Sequence, residues 1–359
     1  MARIYNFSAG PATLPLEVLR EAQEHLVDYH GAGLSLLEAS HRGPEYDAVH
    51  TEAIENLRQL LDIPAEYSVL FMTGGATTQF ALVPMNLLLP GETADYVHSG
   101  SWAGKAIEQA RFVGRVNVAA NTAKERPARM PAPDELNLTP GAAYLHLTSN
   151  ETIAGTQWKT FPETEAPLVA DMSSDILSQP LDVSRFGLIY AGAQKNLGPA
   201  GVTIVIARTE WLARAPENLP TILRYQAHAA ENSLLNTPPC FPIYLVMLVT
   251  RWLLNLGGLE AIAARNRAKA ETLYSVLDGS AFWRPTAAPA HRSLMNVTFR
   301  LPSEELEQQF IKQAAAAGLK GLKGHRSVGG VRASIYNAFP PEGVEALVAC
   351  MREFERQHG

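Results

Sequence analysis

A lysine in a run of small residues, Gly192-Ala193-Gln194-Lys195-Asn196, follows directly on the apolar stretch Gly187–Tyr190. Such a stretch reads as a strand buried on both faces, and the loop at its carboxyl end is where open α/β sheets bind ligands. A lysine placed there is partly withdrawn from water, which lowers its pKa and frees its amine for covalent chemistry with a carbonyl. Taken alone, the pattern suits an ordinary loop lysine equally, since short matches are common. Asp171 shifts the balance. It ends the preceding apolar run, Leu168–Ala170, so two neighbouring strand ends would set a carboxylate and an amine in one crevice. Pyridoxal phosphate requires that pair: an acid on the pyridinium nitrogen, which keeps the ring an electron sink, and a lysine on the aldehyde. Ser173 and Ser174 leave a simpler role open for Asp171, as a turn cap.

Further groups fall at the same sheet edge. Gly74-Gly75-Ala76-Thr77-Thr78 lies between a strand at Ser68–Met72 and a helix starting near Thr77. Small residues let backbone N–H groups approach an anion, and the helix dipole favours a phosphate there. The run matches neither the dinucleotide glycine fingerprint nor the P-loop, so it specifies neither ligand. Trp102, after Ser99-Gly100-Ser101, could stack on a flat heteroaromatic ring, and Thr152, in Ser149-Asn150-Glu151-Thr152, could bond a phenolic oxygen. A core tryptophan and a capping threonine are the plainer readings. The cations form a second group: His41-Arg42, His325-Arg326, and Arg332 near Gly324, Gly329 and Gly330. Arginine is the natural bidentate partner of carboxylate and phosphate, so these suggest a substrate with two or three negative charges, against solvated surface charge as the bland alternative.

The elements that must position these residues alternate. Strands are expected at Ser68–Met72, Ala94–Val97, Val116–Ala119, Ala143–Leu147, Leu168–Ala170, Leu188–Tyr190 and Val202–Ala207, with helices such as Trp102–Phe112 between several of them. That alternation predicts a mainly parallel α/β sheet. A helix opens at Thr13-Leu14-Pro15 and closes near Gly31; a second runs from about Pro44 to Leu61 and stops before Pro64. From about Arg265 the texture changes to a compact α+β unit: strand Met295–Leu301, helix Ser303–Ala317, short strands Leu319–Leu322 and Val331–Ile335, and helix Gly343–Gln357. One helix between about Ile243 and Leu277 should link the two units, and Ala120–Pro140 should be a surface excursion.

Composition bounds the remainder. The chain has 359 residues, enough for about two domains, with 47% hydrophobic and 18% charged residues. A net charge of −6 argues against a broad nucleic-acid surface. Cys240 and Cys350 form neither a disulfide framework nor a zinc pattern, which suits a reducing compartment. With no signal-like amino terminus, and an apolar stretch Tyr244–Val249 too short to span a bilayer, the expectation is a cytoplasmic protein with no membrane partner.

Several segments together resemble the phosphoserine aminotransferase family of class V pyridoxal-phosphate enzymes. They are Asn6-Phe7-Ser8-Ala9-Gly10-Pro11-Ala12, Ser40-His41-Arg42-Gly43, Gly192–Asn196, Asn236-Thr237-Pro238-Pro239 and the run Lys323–Ala338. The likeness covers essentially the whole chain; the serine-histidine-arginine motif is shared more widely in class V, and the Lys323–Ala338 run is the more specific. It implies a fold type I homodimer with active sites shared between subunits, a large domain at 16–264, and a small domain from 1–15 and 265–359. It implies that Lys195 holds the cofactor, Asp171 pairs with the ring nitrogen, Trp102 stacks on the ring and Thr152 bonds its phenolic oxygen. Ala76, Thr77 and Gln194 would hold the cofactor phosphate, with Asn236 and Thr237 from the other subunit. Arg332 would take the substrate α-carboxylate, and His41, Arg42, His325 and Arg326 the distal anion. The implied reaction moves an amino group between glutamate and 3-phosphohydroxypyruvate, and also serves a phosphorylated hydroxythreonine of pyridoxine biosynthesis. A cysteine desulfurase-like lyase is the rival on the same scaffold. Thr77 departs from those family members that carry arginine there.

Overall fold

The computed structural model describes residues 3–359. The seven expected apolar runs pair into one sheet, from edge to edge Tyr67–Gly74, Gly201–Arg208, Phe186–Gly192, Leu168–Asp171, Leu145–Thr148, Thr93–His98 and Arg115–Asn121. Gly201–Arg208 runs antiparallel to both of its neighbours; the other pairings are parallel. Alternate residues of each strand enter opposite layers. Val69, Phe71, Ile189, Ala191, Ile204 and Ile206 pack in one core with helices Pro44–Leu61 and Cys240–Asn255. Leu70, Met72, Leu188, Tyr190, Val205 and Ala207 pack on the other side with helices Ala76–Leu87 and Ser101–Arg111. Burial on both faces is why the strands read as continuous apolar runs, and a period of two sorts their residues between the layers.

A second core lies toward the carboxyl terminus. Arg284–Pro285, Asn296–Arg300 and Val331–Ser334 form a three-stranded antiparallel sheet. Helices Glu304–Ala316 and Pro341–His358 cover it around Trp283, Phe299, Phe310, Leu347 and Phe354. The amino-terminal segment belongs to this core: Tyr5–Asn6 pairs in parallel with Leu319–Lys320, and Phe7 is fully buried there. Residues 1 and 2 lie outside the described residues.

Three expectations need correction. The first helix spans Leu16–Glu24 rather than reaching Gly31. Its buried face is Val18 and Ala22; beyond it Leu26 and Val27 are exposed, so no apolar face holds another turn. The linking helix is two helices, Cys240–Asn255 and Gly258–Asp278, meeting at 85°. Gly257 and Gly258 adopt φ of 98° and 74°, backbone that glycine reaches without strain and that ends the first helix. The 120–140 excursion is also anchored inward, since Met130 is buried and Ala128 bridges to Ala287. Among the described residues no single helix is long and apolar enough to cross a membrane.

Candidate active site

Leu168–Asp171 and Phe186–Gly192 are hydrogen-bonded parallel neighbours with Asp171 opposite Tyr190. Their carboxyl ends therefore open on one crevice. A tight turn beyond Gly192, closed by Gly198 N–H donating to Ala193 O at 2.8 Å, turns Lys195 back over it. Lys195 Nζ donates to Thr152 Oγ1 at 2.8 Å. Ser173 ties the strand ends together: its N–H and hydroxyl both donate to Asp171 Oδ1, at 2.9 and 2.6 Å, and its Oγ accepts from Gly192 N–H at 3.0 Å. The turn-cap reading of Asp171 is thus realised, but on Oδ1 alone. Oδ2 remains for a group in the cavity that Asp171 lines.

Burial sets the electrostatics. It pulls the Lys195 ammonium down to about 8, against the pull of Asp171 and Glu151. It raises the carboxyl of Asp171, opposed by the Ser173 hydroxyl and by Lys195. It also pushes Glu151 up to about 7 and Asp175 up to about 6. Removing a charged group from water disfavours its charged form, so the amine and the acids move toward neutrality together.

Ala76, Thr77, Trp102, Asp171, Gln194 and Lys195 line one cavity of about 100 Å³. Its composition tests whether pyridoxal phosphate fits. Helix Ala76–Leu87 begins at Gly75 with no side-chain cap; Thr78 N–H donates to Gly75 O at 3.0 Å, and among the described residues no side chain accepts from Ala76 or Thr77 N–H, which suits an anion there. A Cβ on Gly192 would lie 2.9 Å from Gln194 Oε1 and 3.4 Å from Ala76 N, so glycine keeps that cup open. Thr148 Oγ1 and Trp102 Nε1 are buried polar atoms with no partner among the described residues, and both residues line the cavity. Lys195 Nζ sits 5.6 Å from the Trp102 ring centroid. An anion cup, a flat indole, a buried carboxylate and an amine around one cavity fit the cofactor.

A second cavity of about 500 Å³ is lined by Gly100, Ser101, His325 and Arg332, next in sequence to the Trp102 that lines the first. The Arg332 guanidinium has no ion pair among the described residues; its Nε is buried without a partner, and burial lowers its pKa. A cation left unpaired in a desolvated position costs free energy unless an anion arrives. His325 is held below its usual pKa by burial and by the charges of Arg332, Arg326 and Lys105. Arg326 itself is exposed.

The remaining candidates gather elsewhere. Thr237 Oγ1 lies 3.4 Å from His41 Nδ1, Arg42 Nη2 donates to Leu234 O at 3.5 Å, and Asn236 Nδ2 donates to Thr237 O at 3.2 Å. None of these four lines either cavity. Further residues belong to the site, among them Ser173 and Ser174, which the sequence suggests only as turn-cap partners of Asp171. Thr148, Ser173 and Ser174 line the smaller cavity. Gly10 approaches Lys195 closely enough that a Cβ would lie 3.5 Å from Lys195 Cγ. Glu151 is fully buried. The signal for Glu151 was its position beside Thr152 at a strand end, where a charged residue is unexpected.

The class V aminotransferase family model matches residues 4–347. The chain is 55% identical to phosphoserine aminotransferases of Desulfatibacillum aliphaticivorans and Niallia circulans, over 99% of each chain. Among solved structures, phosphoserine aminotransferase from Bacillus circulans subsp. alkalophilus superposes with a TM-score of 0.96 at 54% identity, covering 99% of both chains. The pyridoxal-phosphate-bound enzyme from Trichomonas vaginalis gives 0.94 at 38% identity, covering 98% of this chain and all of that one. Fold, site chemistry and relatives agree that this chain belongs to the class V aminotransferases, within the phosphoserine aminotransferase family.

Proposed function

We propose that the chain catalyses reversible transfer of the amino group between glutamate/2-oxoglutarate and 3-phosphohydroxypyruvate/phosphoserine, the transamination of serine biosynthesis. The observation that carries the chemistry is Lys195 and Asp171 on adjacent strand ends, facing a helix N-terminus across one cavity. Pyridoxal phosphate supplies an aldehyde for amines and a ring that takes up electrons from the substrate α-carbon. Lys195 would hold it covalently; Ala76, Thr77 and Gln194 would hold its phosphate, and Asp171 Oδ2 would keep its ring nitrogen protonated. Displaced by the donor's amine, Lys195 Nζ carries the proton at the substrate α-carbon. Burial, which lowers its pKa, favours the neutral amine that this step needs. Thr152 Oγ1 orients that nitrogen.

Arg332 would receive the α-carboxylate, and His325 and Arg326 would face the distal anion. Thr77 brings no charge to this pocket, so the remaining cations bear more of the recognition. His41, Arg42, Asn236 and Thr237 support a homodimer. They form one cluster away from the cavities of their own chain, and a second copy would bring that cluster to the neighbouring site, completing both the phosphate cup and the distal pocket. The phosphorylated hydroxythreonine of pyridoxine biosynthesis has the same carboxylate–amine–phosphate layout and fits the same reading, and the work belongs in the cytoplasm.

The lyase reading lacks an activated thiol. Burial raises the pKa of both Cys240 and Cys350, and Cys240 Sγ donates to Pro238 O at 3.4 Å. A desulfurase needs a thiolate, and burial without a cation works against one. The test is a donor panel of phosphoserine, glutamate, alanine, aspartate and cysteine, following the absorbance of the bound cofactor. Phosphoserine and glutamate should convert it; sulfur release from cysteine, with phosphoserine inert, would overturn the reading.

A further inference from the structure

Helix Ser101–Arg111 carries Trp102 in its first turn, and nothing on the helix itself caps that turn. The N-cap residue Gly100 has no side chain, and the first turn holds no acid. The missing acceptor comes from another part of the chain. Glu151 accepts from Trp102 N–H at 3.4 Å through Oε2, and from Ala103 N–H at 3.2 Å and Ser99 Oγ at 3.3 Å through Oε1. Trp102 and Ala103 are the second and third helical residues, the positions that a local N-cap side chain normally serves.

A second observation points to the same fit. Gly100 is extended, at φ 177°, a conformation open to any residue. A Cβ there would lie 2.5 Å from Glu151 Cδ and 2.6 Å from Oε2. Gly100 is therefore required for space, and the space belongs to the Glu151 carboxyl group. Glu151 is fully buried, and ends the short strand Asn150–Glu151 directly before Thr152, the acceptor for Lys195 Nζ. The indole of Trp102 makes no hydrogen bond, since its Nε1 is unpartnered among the described residues, and the Lys105 ammonium 4.4 Å from its ring centroid comes from the same helix. Its placement thus depends on how the first turn is held.

We propose that Glu151 is a positioning residue for the cofactor ring: by capping the helix of Trp102 from the turn that also carries Thr152, it locks the stacking indole and the Lys195 acceptor into one unit. The inference rests on the cofactor site proposed above. Loss of the cap frees the first turn, so the indole no longer keeps a fixed angle to a ring held at Lys195. A buried carboxyl kept only for stability would have no such effect on the ring's surroundings.

The experiment uses holoenzyme reduced with borohydride, which fixes the bound cofactor covalently; normalising to pyridoxyl absorbance makes the readout independent of affinity and turnover. Peptide mapping first establishes that the label is on Lys195; a label elsewhere overturns the site and this inference with it. The circular dichroism of the fixed pyridoxyl group then reports its asymmetric surroundings. Glu151→Ala should lose at least half of that band. Unreduced, it should lose about tenfold or more in single-turnover rate with glutamate, with less than threefold change in apparent affinity. Glu151→Gln, which keeps an acceptor oxygen, should recover most of both. Gly100→Ala, which displaces the carboxyl group from the other side, should reproduce the loss and serves as the readout should Glu151→Ala fold poorly. In a Trp102→Ala background, Glu151→Ala should alter the band no further. A lysine-labelled Glu151→Ala or Gly100→Ala enzyme with an unchanged band overturns the proposal, as does a Glu151→Gln that recovers nothing.

Discussion

In the proposed reaction Lys195 must be held in one place and still react as a free amine. Burial meets the second demand and Thr152 meets the first. The sign of the pH dependence follows. Only the neutral amine attacks an aldehyde, so covalent capture of pyridoxal phosphate by apoenzyme should rise about tenfold per pH unit below about 8 and level off above it. Stopped-flow absorbance measures this; a rise continuing to pH 10 would mean that the lysine is not desolvated. The cations divide differently. Arg332 is unpaired and partly buried, and both donors carry an α-carboxylate, so Arg332→Ala should damage the glutamate and phosphoserine half-reactions equally, by about 2 kcal/mol or more. Phosphate carries nearly one more negative charge than a carboxylate at neutral pH. Arg326→Ala should therefore weaken phosphoserine more than glutamate, read as single-turnover rates with each donor; equal losses would remove Arg326 from phosphate recognition.

Elements carry these residues, and their legibility in the sequence varied for physical reasons. Helix Pro44–Leu61 is legible at both ends because Pro44 at its first turn and Pro64 beyond its end are covalent constraints that no packing overrides. The seven sheet strands were legible because burial on both faces makes each a continuous apolar run. Asp171 and Lys195 were legible because chemistry-bearing residues at strand ends stand out against such runs. Glu151 shows only as a charged residue at a strand end; its partners are backbone N–H groups about fifty residues away, which no local pattern records. The break at Gly257 is not legible, since apolar periodicity continues through Leu253 and Leu259 on either side. Gly257→Ala would put a Cβ on a left-handed backbone and cost about 1 kcal/mol. Urea unfolding should show that loss with cofactor absorbance intact; no loss would mean that the bend is held by packing alone. Beyond the bend, Leu259 and Ile262 pack in the large core, while Ala270, Leu273 and Leu277 pack in the small one. We propose that the domain boundary falls within this helix, near residue 265.

At the scale of the whole molecule, the proposed dimer makes a prediction that no monomer satisfies. Mixing Lys195→Ala chains with chains mutated at both Asn236 and Thr237 should restore part of the activity, because one site of each hybrid carries neither lesion. Hybrids that form but stay inactive would place the loop in its own subunit's site. Within one chain, the amino-terminal segment joins distant parts. Tyr5–Asn6 pairs with Leu319–Lys320, Ala9 O accepts from Tyr336 Oη across 327 positions, and Ala12 N–H donates to Gln194 O beside Lys195. The amino-terminal residues thus wait on partners that lie up to 327 positions away. Contacts so distant in sequence form late, because their loop entropy must be met before they return any stability. The large sheet can assemble while the wall that these residues form around Lys195 is still missing. In refolding, helical circular dichroism should therefore return before the absorbance of lysine-bound cofactor, and coincident recovery would show that the first and last segments dock as early as the sheet itself.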